Sequence, residues 1–276
     1  MTFRSEFQEG LFNGVAESVY RADSALSTSD LKGIGNPYEF QQKMAGKYSS
    51  FDTTSMRTGR LYHMYALEPD RWTAEVATCP DEFSDKRKKA SKEWWAKQAN
   101  KGVTIIKEED LEAIQAMHKN LMDQPMVGEC LEEGETEVSV FAKNIVKGVD
   151  AKCRIDCLYS IGRERTVVDI KTTRKGGSSP REFKMTSRRL KYHWQEANYR
   201  RIAHKAGYPI SDWLWAVVET EPPYTASVYR FSKHDLLMAN TELDEAYSKL
   251  KSCLDLNAWP GYTPTEPLTL NIYDSV

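Results

Sequence analysis

The sequence predicts an α/β protein in which a mixed central β-sheet, flanked by helices, follows a helical N-terminal half. Three observations carry that reading. Apolar residues before residue 130 recur at three- and four-residue intervals, three segments after Gly134 alternate apolar with polar residues, and a long helical stretch then separates two further strand-like segments. The expected organisation is one domain: a mainly helical part over 1–130, a β-β-β-α-β-β-α core over 131–256 and a tail over 257–276.

Taken in order, Leu26 to Leu31 offers several N-cap candidates for a helix reaching toward Met44, which the Gly33, Gly35 and Pro37 cluster breaks in two. From Thr54 to Leu67 the spacing of Met56, Gly59, Arg60, His63, Met64 and Leu67 predicts a helix, with Gly59 and His63 on one face. Residues 82–101 read as a partly helical excursion holding the basic run Lys86 to Lys89 and the pair Trp94 and Trp95. A helix over Lys107 to Met122 follows, its stripe formed by Leu111, Ile114, Met117 and Leu121. Glu137 to Phe141, Gly148 to Tyr159 and Thr166 to Ile170 are three strands in antiparallel succession. Pro180 opens a helical region that runs to Lys205 and stops at Gly207. Strands over Trp213 to Thr220 and Thr225 to Phe231 flank Pro222 and Pro223, and a last helix starts at a Ser232 N-cap and runs to Leu254.

Composition narrows the class without naming a partner. With 40% apolar and 11% aromatic residues the chain can bury an ordinary core. Its 38 basic and 40 acidic residues leave a net charge of -2, so any positive surface for nucleic acid must be local. No apolar leader or spanning segment stands in the sequence, and a cytoplasmic location is the expectation. The cysteines Cys79, Cys130, Cys153, Cys157 and Cys253 form an odd set without a C-x-x-C pair, which argues against a disulfide framework and against zinc. Cys153 and Cys157, evenly spaced in a strand, are expected on one face as buried thiols.

The most informative stretch is Val167 to Thr173. Alternation puts Asp169 and Lys171 on one face of a strand while Val168 and Ile170 face the core. Asp156 stands in the preceding strand, across a short turn, where pairing brings it beside Asp169. Two neighbouring carboxylates repel each other unless a cation lies between them, and hard oxygen ligands suit Mg²⁺ or Mn²⁺. An ammonium beside them can hold a water or stabilise charge on a phosphate. Spacing alone leaves a second reading open, in which Asp169 and Lys171 form a half-exposed ion pair and Asp156 ends a strand.

Asp156 followed by Asp169-Ile170-Lys171 resembles the motif of the PD-(D/E)xK nuclease superfamily, with Ile155 where proline usually stands. Gly59-x-x-x-His63 and Gln195-x-x-x-Tyr199 resemble the histidine and Q-x-x-x-Y elements of its RecB, Cas4 and RecE-like branch. Met56 to Gly59, Glu137 to Phe141, Val168 to Thr173, Tyr192 to Gln195, Glu219 to Tyr224 and Trp259 to Tyr262 together resemble RecE-type exonuclease VIII, phage recombination nucleases.

That resemblance implies a restriction-endonuclease-like core and a Mg²⁺-dependent exodeoxyribonuclease, with Mn²⁺ able to substitute. It implies 5′→3′ digestion of double-stranded DNA ends, leaving 3′ single strands for an annealing protein of the RecT type. A Cas4-like or restriction-type nuclease, or a silent DNA-end-binding scaffold, are the alternatives. Carried over by position, Asp156 and Asp169 bind metal with the Ile170 backbone carbonyl, His63 is a further ligand, and Lys171 serves the attacking water. Gln195 and Tyr199, one turn apart, face the site and steady the lysine and the DNA. Glu137 is either an additional metal carboxylate or part of a solvated acidic edge with Glu133 and Glu135. The four-cysteine iron–sulfur pattern of some relatives is missing, so no cluster is expected.

Arg181, Lys184, Arg188, Arg189, Lys191, Arg200, Arg201 and Lys205 form a dense basic stretch, suited to phosphate contacts or to an ordinary solvated helix face. Ser27 and Ser29 suit either a terminal phosphate or simple helix capping. The resemblance further implies a closed homo-oligomeric ring, a tetramer, for which Trp72, Trp94 and Trp95 are anchors if the core does not bury them.

Overall fold

The computed structural model describes residues 1–47 and 54–262, so the expected tail is described only as far as Tyr262. The first half contains β1 (Gly10–Phe12), α1 (Glu17–Ala22), β2 (Leu26–Ser27), α2 (Thr28–Leu31), a 3-10 turn (Lys32–Gly35), α3 (Pro37–Met44), α4 (Thr54–Leu67) and α5 (Pro69–Glu75). It continues with β3 (Val76–Thr78), α6 (Lys89–Asn100), β4 (Thr104–Ile106), α7 (Glu108–Met122) and α8 (Val127–Glu133). The second half runs β5 (Glu135–Val146), β6 (Val149–Ile161), β7 (Glu164–Thr173), α9 (Pro180–Arg189), α10 (Tyr192–Lys205), β8 (Asp212–Glu219), β9 (Ala226–Tyr229) and α11 (Lys233–Leu256).

Local chemistry explains most boundaries. Ser27 accepts the Asp30 N–H at 3.2 Å and caps α2, and Asn36 caps α3 with Pro37 in its first turn, so the glycine cluster divides the predicted helix as expected. Ser232 caps α11 through the Asp235 N–H. The single helical region read from 180 to 205 is two helices, because Lys191 adopts a left-handed φ of 53° between them. The short strands β1 to β4 escaped the sequence reading, since two or three residues are too few to show alternation.

The main sheet has the order β1-β5-β6-β7-β8-β9, with β2 also paired to β6. β5, β6 and β7 are antiparallel as predicted, and β7 and β8 are parallel across the α9–α10 connection, which makes the sheet mixed. Both faces are covered. Trp213, Trp215 and Val217 of β8 pack on one side with Phe183 of α9 and Ile202 of α10; Leu214, Ala216 and Val218 pack on the other with α4, α7 and α8. Each such buried aliphatic side chain contributes roughly 1.5–3 kcal/mol. α11 lies behind α10, where Leu243, Tyr247 and Leu250 join Trp194 and Ala197 in a further core. This is the α/β fold, with a central mixed sheet flanked by helices, that the sequence predicts.

One irregularity organises the functional region. β6 and β7 pair from Ile161 and Glu164 only as far as Cys157 and Val168. Beyond that point β7 continues along β8 to Thr173, while β6 stays with β5 and takes β2 on its freed edge at Ala151 and Lys152. The two strands therefore open into a fork. Alternation along β6 breaks there, which corrects the expectation for the cysteines: Cys153 faces the α10 side, whereas Cys157 faces α8, its thiol 3.0 Å from the Cys130 carbonyl. Both thiols are buried.

Candidate active site

Asp156 and Asp169 stand at the mouth of the fork. They are not ladder partners, because pairing ends one residue earlier. Instead the Asp156 carboxylate accepts the Ile170 N–H at 2.8 Å and satisfies the donor that the diverging strands leave open. Asp169 is 1% exposed. One of its oxygens meets the Lys171 ammonium and the other accepts from the Gln195 side-chain amide at 2.5 Å. The sequence reading of Asp169 and Lys171 as a half-exposed surface pair is thereby corrected, since helices cover both sheet faces.

His63 arrives from α4, its Nδ1 3.7 Å from Asp156 Oδ2. The approach depends on Gly59, one turn earlier, where an added Cβ would lie 3.0 Å from the Thr172 hydroxyl of β7. Glu137 arrives from β5 with a left-handed φ of 53° that turns its carboxylate inward, onto Arg154. Glu133 and Glu135 stay exposed, so Glu137 is not part of a solvated acidic edge. Ligand atoms of His63, Glu137 and Asp156 all lie within 4.8 Å of one another.

Burial drives the electrostatics. It raises the Asp169 carboxyl to about 6, with Lys171 acting against it and the Asp156 charge adding to it. Burial likewise raises Asp156, opposed by Lys171 and the Ile170 N–H. Glu137 rises to about 7, from burial and then the Asp156 charge, against the pull of Arg154. His63 falls to about 4 through burial and the Lys171 cation, so its imidazole is neutral near pH 7. Lys171 is held above its ordinary value: burial opposes its charge, but Asp169 and Asp156 outweigh it. Burial thus leaves three carboxyls above their ordinary range, and a neutral imidazole with carboxylate oxygens is a donor set that fits a hard divalent cation.

Tyr199 packs edge-on against Trp213, ring centroids 5.8 Å apart, and the pKa of its hydroxyl is raised first by burial, with the Asp169 and Asp156 charges adding to it, so it stands near the fork as expected. The Lys171 ammonium is steadied by the rings of Tyr192 and Trp215, at 5.1 and 5.2 Å. Other sequence-chosen residues sit elsewhere. Arg200 is tied to Glu196 and the Ile210 carbonyl, and Arg201 to Asp244 and Asn240, which removes both from the expected phosphate surface. Arg181, Lys184, Arg188, Arg189 and Lys205 are exposed. Ser27 serves as a cap, and Trp72 packs on Tyr65. Two neighbours were missed. Arg154 lies two residues before Asp156, a spacing that would have shown it; Lys32 lies near Lys171 and donates to the Leu190 carbonyl at 2.8 Å, and no sequence signal marks it. Burial and the Lys171 charge lower Lys32 to about 8.

A forked mixed sheet that carries an aspartate on one arm and Asp-x-Lys on the other defines a domain of the PD-(D/E)xK type. Residues 27–266 match the family described as a PDDEXK-like domain of unknown function, DUF3799, and the chain belongs to that family and so to the PD-(D/E)xK nuclease superfamily. Among solved structures, a protein from Eubacterium rectale described as a "Putative exonuclease" shares the fold with a TM-score of 0.55. The likeness has 11% sequence identity and covers 94% of this chain and 97% of that one. No curated protein matches the sequence significantly.

Proposed function

We propose that the protein is a divalent-metal-dependent exodeoxyribonuclease that digests the 5′-ended strand of duplex DNA. The observation that supports it most is the fork, where His63, Glu137 and Asp156 cluster beside the Asp169, Lys171 and Gln195 chain of contacts. His63, Glu137 and Asp156 would hold the ion, with Asp169 as the carboxylate on the opposite arm; Mg²⁺, or Mn²⁺ in its place, suits these donors. When bound, such an ion polarises a phosphodiester and acidifies water.

The protein groups supply the rest. Lys171 keeps its proton and presents a fixed positive charge where negative charge grows on a phosphate, worth most in a site shielded from water. Gln195 fixes the orientation of Asp169, and the neutral His63 offers a lone pair. The 5′→3′ polarity, the 3′ single-stranded product, its handover to a RecT-type annealing protein and a closed ring of subunits rest on the RecE-like order of motifs. A ring would keep a chain of net charge -2 on its substrate through many cleavages.

The test is direct. Purified protein with Mg²⁺ should digest linear duplex from labelled 5′ ends and leave covalently closed circles intact, and light scattering should give a multimer. Nicking of closed circles at the same rate would replace this reading with a restriction-type or Cas4-like nuclease.

A further inference from the structure

Residues 76–106 form a separate unit against α4. β3 and β4 pair in parallel as a second, two-stranded sheet, and the turn Asp81–Phe83 and α6 lie between them in the chain. Arg57 of α4 donates to the Ile105 carbonyl at 3.4 Å and joins the unit to the helix that carries His63. Arg57 and His63 are about 9 Å apart along that helix.

On α6, Trp94 and Trp95 stand side by side with ring centroids 5.7 Å apart. Trp94 stacks on Phe83 at 5.5 Å, and the Trp95 indole N–H donates to the Phe83 carbonyl at 3.1 Å. Both rings are therefore held in place, yet both stay partly exposed. Seven Lys and Arg residues face four Asp and Glu within the unit, a surplus of three in a chain whose net charge is -2. Lys86 sits 3.7 Å over the Trp95 ring. Arg87 pairs with Asp85, whose charge the exposed Lys88 also faces, and Lys89 faces Glu93, but Lys92, Lys97 and Lys101 are exposed with no acidic partner among the described residues.

A solvated helix face does not need two anchored tryptophans, and the core of a protein interface is depleted in lysine. Fixed aromatic rings amid uncompensated cations suit a polyanion that also offers flat faces, which is single-stranded nucleic acid. We propose that the 76–106 unit binds single-stranded DNA, lysines on phosphates and the Trp94 and Trp95 pair against bases. The choice of DNA rests on the nuclease reading. Placed on α4, the unit takes the strand that the site leaves uncut.

The experiment uses full-length protein in EDTA, so that nothing is cleaved, titrated with a fluorescein-labelled oligothymidylate and followed by anisotropy. Lys88→Glu with Lys92→Glu should weaken binding about tenfold and flatten its salt dependence. Trp94→Leu should weaken it by a similar factor, from lost stacking. The lysine variant decides the matter, because its side chains are exposed and their exchange leaves the Phe83 packing intact. Affinity unchanged within twofold in that variant overturns the proposal. So does an equal loss for duplex of the same length, which would mark a duplex track, or a split oligomer with affinity retained, which would mark a subunit contact. Cleavage of labelled duplex in Mg²⁺ is measured separately: no cleavage with the binding loss intact would remove the nuclease reading and leave this surface standing.

Discussion

The side-chain amide of Gln195 on α10 meets the carboxylate of Asp169 on β7 at 2.5 Å, so a helix on one sheet face fixes an acid at the fork. Gln195→Ala removes a hydrogen bond to a charged group, worth about 1.5–3 kcal/mol. The expected outcome is a kcat lowered roughly ten- to a hundredfold with KM for DNA little changed. An equal loss from Gln195→Glu, which retains the length but adds a second negative charge, would show that the amide donor and not packing matters.

Asp156→Asn and Asp169→Asn preserve shape and remove charge. Each should lower cleavage by two orders of magnitude or more. Calorimetric titration with Mn²⁺ should show lost affinity for Asp156→Asn, which sits with His63 and Glu137. Near-normal rates for both variants at ordinary Mg²⁺ would remove the carboxylates from the chemistry.

Lys171→Ala should keep Mn²⁺ and DNA binding and lose kcat, since the ammonium acts on developing charge rather than as a ligand. The variant also leaves Asp169 without its cation, so its carboxyl should titrate higher than in the native protein. Weakened DNA binding with kcat retained would make Lys171 a phosphate anchor.

Gly59 can be tested by a double substitution. In Gly59→Ala the new methyl presses on the Thr172 hydroxyl, lifting α4 and with it His63, and the Mn²⁺ concentration needed for half activity should rise several-fold. Thr172→Ala opens that space and should restore much of the loss in the paired variant. Two losses that simply add would show that Gly59 acts some other way.

Glu137 gives a pH test in EDTA. Its folded-state pKa of about 7 lies above the ordinary 4.5, so between those values the folded state holds more proton than the unfolded one. Stability from this group is therefore present below about 4.5 and lost as pH rises toward 7. Glu137→Gln cannot titrate, so its Tm relative to the native protein should climb across that window. A constant difference from pH 4.5 to 7 would contradict the shift.

Periodicity made the helices α4, α7 and α11, the antiparallel trio β5 to β7 and the Asp-x-Lys strand legible, because each is long enough for its repeat to show. Gly59 and His63 one turn apart were legible for the same reason. The fork was not. It depends on where β6 and β7 stop pairing, and nothing in the residues around Asp156 and Glu137 shows that the ladder breaks beside them. Lys32 was invisible because only the pairing of β2 with β6 brings its turn to the site. The cysteine expectation failed at the same break, which moved Cys157 to the other face.

The pairing of Leu26 with Ala151 has a temporal side. A ribosome releases the first before it has made the second, so the leading segment waits through more than a hundred residues for the strand that completes it. Contacts so distant in sequence slow the search for the native state and leave partly built chains exposed. Nuclease competence is thus withheld until most of the polypeptide has been synthesised, and a nascent fragment ending before β6 has no fork with which to cut.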